Sequence, residues 1–442
     1  MITKIQIDNF EGINAPVELD FISKSRNRSN NPSVAEIEKG IYANKVIGIV
    51  GGNASGKTSI LNAINLVRKL ITSPIYKYDI ESKMAELEKI KSNSKEELKR
   101  LYNIIDEIQQ YNTSIDISKI QNAGRIKEPT MIMIELFIED EKPNMTGFYT
   151  YEISIDGINK NIKNEKLSYR KKYKSKNNVI TEVSDAKEGQ VYYISRYYKN
   201  IKSSISENNP DFEEDYMHIS SFVEHYFEDS AIIVNDGRSK EKTLSYSEWY
   251  EKDSGIIRRL AKIIDNKIKD VVVDKNHKEK QIKFILQDGS KIGRSELSTG
   301  TDRFLYNMMH IDNVISECGF ILIDEIEQNL SNAVVKLIIE LFEKKANKSQ
   351  IIFTTLRPEI FDMTDEMERK LFKQDEIYIL DNEQGKIKLD KLSDLKIDNK
   401  NVKKDASVAN LYKNNKIKVY PNEEEVNEYI EEYNKRLSKV SH

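Results

Sequence analysis

Lys57 and Thr58 close the run GGNASGKT (51–58), in which Gly51, Gly56, Lys57 and Thr58 occupy the positions of G-x-x-x-x-G-K-[ST]. That spacing suits phosphate. Glycines let a loop curl until successive backbone N–H groups face inward, and a helix opening behind the loop adds the positive end of its dipole. Lys57 is placed to reach the β- and γ-phosphates of a nucleotide, and the Thr58 hydroxyl to hold Mg²⁺. Asn53, Ser55 and Ser59 belong to the same turn and share the binding role. A second group lies far along the chain. Asp324 ends the apolar run FILI (320–323), and Glu325 follows it. A carboxylate at such a strand end joins Thr58 around the Mg²⁺, and an acid one residue later can polarise an attacking water. A third group is ELSTGTDRFL (296–305), with Ser298 26 residues before Asp324. A Leu-Ser-x-Gly turn entering a helix offers the Ser298 hydroxyl and free amides near Gly300 to an anion. Taken alone, that turn reads as an ordinary serine helix cap.

These groups need rigid elements behind them. KVIGIV (45–50), FILI and QIIFTT (350–355) are short continuous apolar runs, the pattern of strands buried on both faces. Residues 56–71 and 332–345 carry apolar side chains at helical spacing. Strand–helix–strand order predicts a parallel α/β sheet. ITKIQIDNF (2–10) and PVELDFI (16–22) alternate as strands, and 129–140 with 147–157 alternate as a hairpin. Residues 23–40 read as a polar loop, and 200–285 as largely helical. Between 80 and 112 a Glu/Lys-rich segment spaces Met84, Leu87, Ile90, Leu98, Leu101, Ile104, Ile105 and Ile108 as a helical stripe broken near 92–97, which reads as an inserted helix pair, an arm that docks a partner or supports a dimer, against the plainer reading of a passive insertion.

Together these segments resemble the ABC-type ATPase heads of the SMC, DNA-repair and OLD-like families, and most of all the single-chain AAA-type ATP-binding proteins of bacterial defence operons. Ile5, Ile7, Asn9 and Phe10 match the family's opening I-x-I-x-N-F strand. GGNASGK matches its phosphate loop, Leu297, Ser298, Gly300, Thr301 and Arg303 its signature turn, and LIDEIEQNL (322–330) its acid strand. DEIYIL (375–380) and NLYKNNKIKVYP (410–421) resemble its closing strand and tail. The resemblance implies an α/β P-loop NTPase head with helical insertions that binds ATP and Mg²⁺. It implies head-to-tail homodimers or larger homo-oligomers, with Lys57 acting in cis and Ser298 and Gly300 in trans on each sandwiched ATP, and hydrolysis reopening the dimer. The implied role is sensor or regulator in anti-phage defence. No acidic nuclease constellation follows the head, so the effector, a nuclease or toxin, is expected on a separate protein. A repair or recombination ATPase acting directly on DNA and an ATP-holding scaffold are the alternatives. The sequence departs from the pattern at Glu11, where an Arg is usual, at Leu330-Ser331-Asn332, where Leu-His-Pro is frequent, and in having no assignable Q-loop glutamine. It also places Leu356 where the Thr-Thr strand normally delivers a histidine, which points to slow turnover.

The expected organisation is an N-terminal lobe of the head over 1–72, a helical insertion over 73–128, and an antiparallel β part over 129–200. A helical lobe over 201–285, the C-terminal part of the head over 286–400 and a tail over 401–442 complete it. A chain of 442 residues with 38% hydrophobic residues supports a sizeable core in more than one lobe. Its 69 basic and 72 acidic residues give no overall pull towards nucleic acid. One cysteine, Cys318, excludes an internal disulfide and a cysteine zinc cluster, and the absence of a long apolar run argues against a membrane span; both fit the cytoplasm. Residues 166–178 hold six basic residues, no acid, and Tyr169 and Tyr173. They offer a local site for a nucleic-acid backbone, against the plainer reading of a solvated hairpin. The tyrosines of VYYISRYYKN (191–200) read as packing on a half-buried strand, and His218 and His225 as ordinary helix residues.

Overall fold

The structure, a computed structural model, describes residues 1–23, 32–71, 120–139, 146–159, 161–186, 231–233, 246–274, 281–343, 348–383, 385–397, 399–403, 405–414, 416–417 and 427–433. The inserted stripe over 80–112, the tyrosines of 191–200, His218 and His225 lie outside these residues.

The continuous apolar runs come together in one sheet. Among the described residues it runs β10 (Ala231–Ile233), β14 (Phe320–Ile323), β15 (Gln350–Thr355), β5 (Val46–Gly51), β16 (Ile377–Glu383) and β17 (Lys386–Lys391). Every neighbouring pair is parallel except β16 with β17. The alternation of side chains divides two cores. Ile47, Ile49, Phe320, Leu322, Ile352, Tyr378 and Leu380 face one; Val46, Val50, Ile321, Ile323, Ile351, Phe353, Ile377 and Ile379 face the other.

The first core holds helix α1 (57–71), which buries Ile60, Leu61, Ile64, Val67 and Ile71. It is closed by an antiparallel sheet in the order β2 (Val17–Asp20), β1 (Ile2–Asp8), β6 (Thr130–Ile138), β7 (Gly147–Asp156), β8 (Asn161–Arg170) and β9 (Asn178–Ala186). The helix that follows the phosphate loop is therefore clamped between two sheets. The second core gathers α2 (Tyr246–Lys252), α3 (Ser254–Ile264), α4 (Thr299–Ser316) and α5 (Asn332–Glu343) around Trp249, Ile257, Phe304, Ile311, Val335 and Ile339. Short α6 (Val408–Lys413) adds Val408 to it.

Two expectations are corrected. Within 23–40, residues form β3 (Val34–Glu38), which pairs with β4 (Ile41–Asn44). Within 201–285, β10 joins the main sheet, and β11 (Ile268–Asp274) pairs with β12 (Gln281–Leu286), itself flanked by β13 (Lys291–Ile292). The second misreading has a cause in the backbone. β11 shifts register between Ile268 and Asp270. A bulge inserts one residue, so buried Ile268 and Val271 stand three apart and mimic helical spacing. β3, VAEIE, holds two glutamates in five residues, which hid it within a polar stretch. The whole is an α/β fold, a mixed sheet with parallel core strands, flanking helices and an appended antiparallel sheet.

Candidate nucleotide and hydrolysis site

Parallel strands bring their carboxyl ends to one edge of the sheet, where α/β proteins place ligands. Three such ends meet here. In register, Ile323 pairs with Phe353 and Phe353 with Gly48, so β15 stands between the strand of the phosphate loop and the strand of the acids.

The loop after β5 keeps its curl through Ala54 and Gly56 at positive φ, 58° and 97°. Gly56 has a direct reason to be glycine, since that φ strains any L side chain. Asn53 is exposed, while the Ser55 hydroxyl is buried and makes no hydrogen bond. Lys57, nearly buried, donates to the carbonyl oxygens of Gly51 and Gly52 at 2.8 and 2.7 Å. Burial lowers its pKa, and Asp324, Glu325 and Glu327 act against that by favouring the charged form. Ser59 accepts from the Gly12 N–H at 3.4 Å. Glu11, the residue in place of the usual Arg, accepts from Asn62 of α1 at 3.2 Å, which ties the turn after β1 to the phosphate-loop helix.

The phosphate loop and the acid strand meet directly. The Thr58 hydroxyl donates to Asp324 Oδ2 at 2.8 Å, and the Thr354 hydroxyl donates to Asp324 Oδ1. A hydroxyl and a buried carboxylate are hard oxygen donors, the chemistry of a Mg²⁺ site completed by substrate phosphates and water. These two residues fit that ion. Glu325 is half-buried at φ 48°, and its N–H donates to Thr354 Oγ1 at 2.9 Å. Two residues on, Glu327 is 7% exposed. Its Oε1 accepts the Leu356 N–H at 2.8 Å, while Oε2 is buried without a hydrogen-bond partner. Leu356 is half-buried and Arg357 exposed at the end of β15.

Ser298 caps α4, accepting the Thr301 N–H at 3.1 Å and sharing a hydrogen bond with Thr301 Oγ1 at 2.7 Å. Gly300 lies so close to the turn after the acid strand that a Cβ would stand 2.9 Å from the Asn329 carbonyl oxygen. Arg294 braces this turn by bonding Asp302 at 2.6 Å and lying over the Tyr246 ring, and Tyr246 in turn donates to Asp302. Arg303, further along α4, feels Glu325 and Asp324; burial lowers its pKa and those carboxylates oppose the shift. Gly300 thus borders the acid-strand turn of its own chain, two residues after the Ser298 cap.

Sequence reasoning missed Glu327, Thr354 and Asn329. The second glutamate of DEIE and the Thr-Thr end of β15 were the visible signals. The basic segment 166–178 is the β8–β9 hairpin. Arg170 is committed to an ion pair with Glu135 and lies over Phe148, and Lys166 pairs with Glu152 at 3.6 Å. Lys171, Lys172, Lys174 and Lys176 are exposed.

No described helix is long and apolar enough to cross a membrane. Comparison with curated proteins gives no match. Among solved structures, the chain is similar to "Crystal structure of the SmcHead bound to the C-winged helix domain of ScpA", at 15% identity and TM-score 0.40 over 88% of this chain and 96% of that one. It is also similar to the "SMC head domain from Thermotoga maritima", at 12% identity and TM-score 0.35 over 88% and 98%. A Pyrococcus furiosus Smc head with an extended coiled coil, bound to the C-terminal domain of ScpA, aligns at 13% identity and TM-score 0.38 over 88% and 95%. A family model described as "AAA domain, putative AbiEii toxin, Type IV TA system" matches residues 46–362, from the strand of the phosphate loop to just past Leu356. With well over half of its length matched, the chain belongs to that family of AAA-domain ATPases.

Proposed function

We propose that this protein is a Mg²⁺-dependent ATPase that binds ATP at residues 51–59 and cleaves it slowly at Glu325. The observation that carries the reading is the Thr58–Asp324 hydrogen bond, which unites phosphate loop and acid strand in one polar site. Gly51, Ser55, Gly56 and Lys57 would bind the phosphates, with the ammonium of Lys57 leaving the loop carbonyls for the nucleotide. Thr58 and Asp324 would hold Mg²⁺, which when bound offsets phosphate charge. Glu325 takes a proton from water as the water oxygen bonds to the γ-phosphorus. The bond to the bridging oxygen breaks, and its electron pair leaves on ADP.

Two heads sandwich ATP between one phosphate loop and the partner's Ser298 and Gly300, so ATP state sets dimer state. The matched family is described as a putative toxin of a type IV TA system; the finer proposal, a sensor or regulator in bacterial anti-phage defence with a separate effector, rests on the sequence resemblance. Steady-state hydrolysis tests the chemistry. Wild type is expected to turn over weakly, and Glu325→Gln to fall by a further ~10²-fold or more. Equal rates in the two proteins would refute the assignment.

A second reading, direct action on DNA, rests on the exposed Lys171, Lys172, Lys174 and Lys176. It requires salt-dependent DNA binding that disappears when Lys171, Lys172 and Lys174 are neutralised.

A further inference from the structure

Leu356 has no polar side chain to offer, yet its backbone is held at the site by a carboxylate. That carboxylate, Glu327, is unusual among the acids of the turn. One oxygen fixes the end of β15, while the other is buried and unpartnered. A buried carboxylate oxygen with no donor is costly in a finished fold and acceptable in a site that receives a donor during its work. With Asp324 and Glu325, Glu327 is one of the carboxylates near enough to act on Lys57 of the phosphate loop.

We infer that Glu327 is a positioning residue for hydrolysis. Its Oε1 locks the switch position through the Leu356 amide, and its Oε2 accepts the second O–H of the attacking water. This rests on the ATPase reading above. The water then has both protons directed, one transferred to Glu325 and one hydrogen-bonded to Glu327, so its lone pair faces the γ-phosphorus. The new P–O bond forms, the bond to the bridging oxygen breaks, and ADP carries off the electron pair. Glu327 supplies an acceptor only. The donor that a histidine would aim at the developing phosphate charge stays missing, which accounts for slow turnover rather than none.

The test compares full-length wild type, Glu327→Gln and Glu327→Ala in single-turnover hydrolysis of saturating Mg–ATP. ATP affinity and hydrogen exchange at the Leu356 amide are measured alongside. Glu327→Gln keeps a carbonyl oxygen for the Leu356 amide but loses the charged acceptor. It is expected to bind ATP within about threefold of wild type, to protect Leu356 normally, and to cleave roughly 10–100-fold more slowly. Glu327→Ala is expected to lose protection at Leu356 as well. A Glu327→Gln protein that cleaves at the wild-type rate, or whose loss lies wholly in affinity, overturns the inference and leaves the ATPase reading standing. A wild-type protein that binds no ATP overturns both. One that binds ATP and never cleaves it removes the inference and leaves the binding site intact.

Discussion

At position 356 a leucine closes a strand that, in the families it resembles, ends on a histidine. The structure gives the position a use in its backbone, through the 2.8 Å bond from the Leu356 N–H to Glu327. The side chain contributes no donor to a γ-phosphate. Removing one donor from a site of developing charge commonly costs roughly 10²–10³ in rate. Leu356→His is therefore expected to raise single-turnover hydrolysis by at least about tenfold, with ATP affinity little changed. An unchanged rate would show that this strand end does not face the reacting phosphate.

At the scale of elements, β5 and β8 each carry a feature with a measurable cost. Gly48 in β5 lets the Phe353 and Phe361 rings stack on the sheet; a Cβ there would stand 2.3 Å from the Phe361 ring and 2.7 Å from the Phe353 ring. Gly48→Ala should lower stability by about 1–3 kcal/mol through overpacking, read as a lower urea midpoint at unchanged slope. In β8, Glu165 is buried with Tyr151 as its hydroxyl donor at 2.8 Å, and burial pushes its pKa up to about 8. The folded state thus holds a proton that the unfolded chain releases above the usual carboxylate range. Stability from Glu165 is full below about pH 4.5 and is lost as pH rises to about 8, by up to ~1.4 kcal/mol per unit. Glu165→Gln should remove that part of the slope, and an identical pH profile would contradict the burial argument.

The same elements mark what the sequence could tell. β5, β14 and β15 were legible because parallel strands buried on both faces leave unbroken apolar runs, and the phosphate loop because its φ and spacing demands are strict. β11 was not, because a bulge gave it the three-residue spacing of a helix, and β3 was not, because two glutamates in five residues made it read as polar loop. Within the site, Thr58 and Asp324 could be paired from their places after two strands. Glu327 could not, because only the register of β14 and β15 sets its carboxylate against the Leu356 amide.

For the whole molecule, α1 lies between two sheets while α4, capped by Ser298, meets the turn that follows the acid strand. The loop that would grip ATP and the turn that would grip a partner's ATP are thus joined through the sheet that separates the two cores. If ATP closes two heads, Glu325→Gln with Mg–ATP should convert monomer to dimer by light scattering, and ADP should not. A monomer under both conditions would argue against the sandwich. The most direct measurement is ATP affinity in wild type and Lys57→Ala. Loss of a charged contact to phosphate should weaken binding by roughly 10-fold or more, with the fold unchanged by circular dichroism. Normal ATP affinity in a folded Lys57→Ala protein would contradict the assignment of residues 51–59 as the nucleotide site.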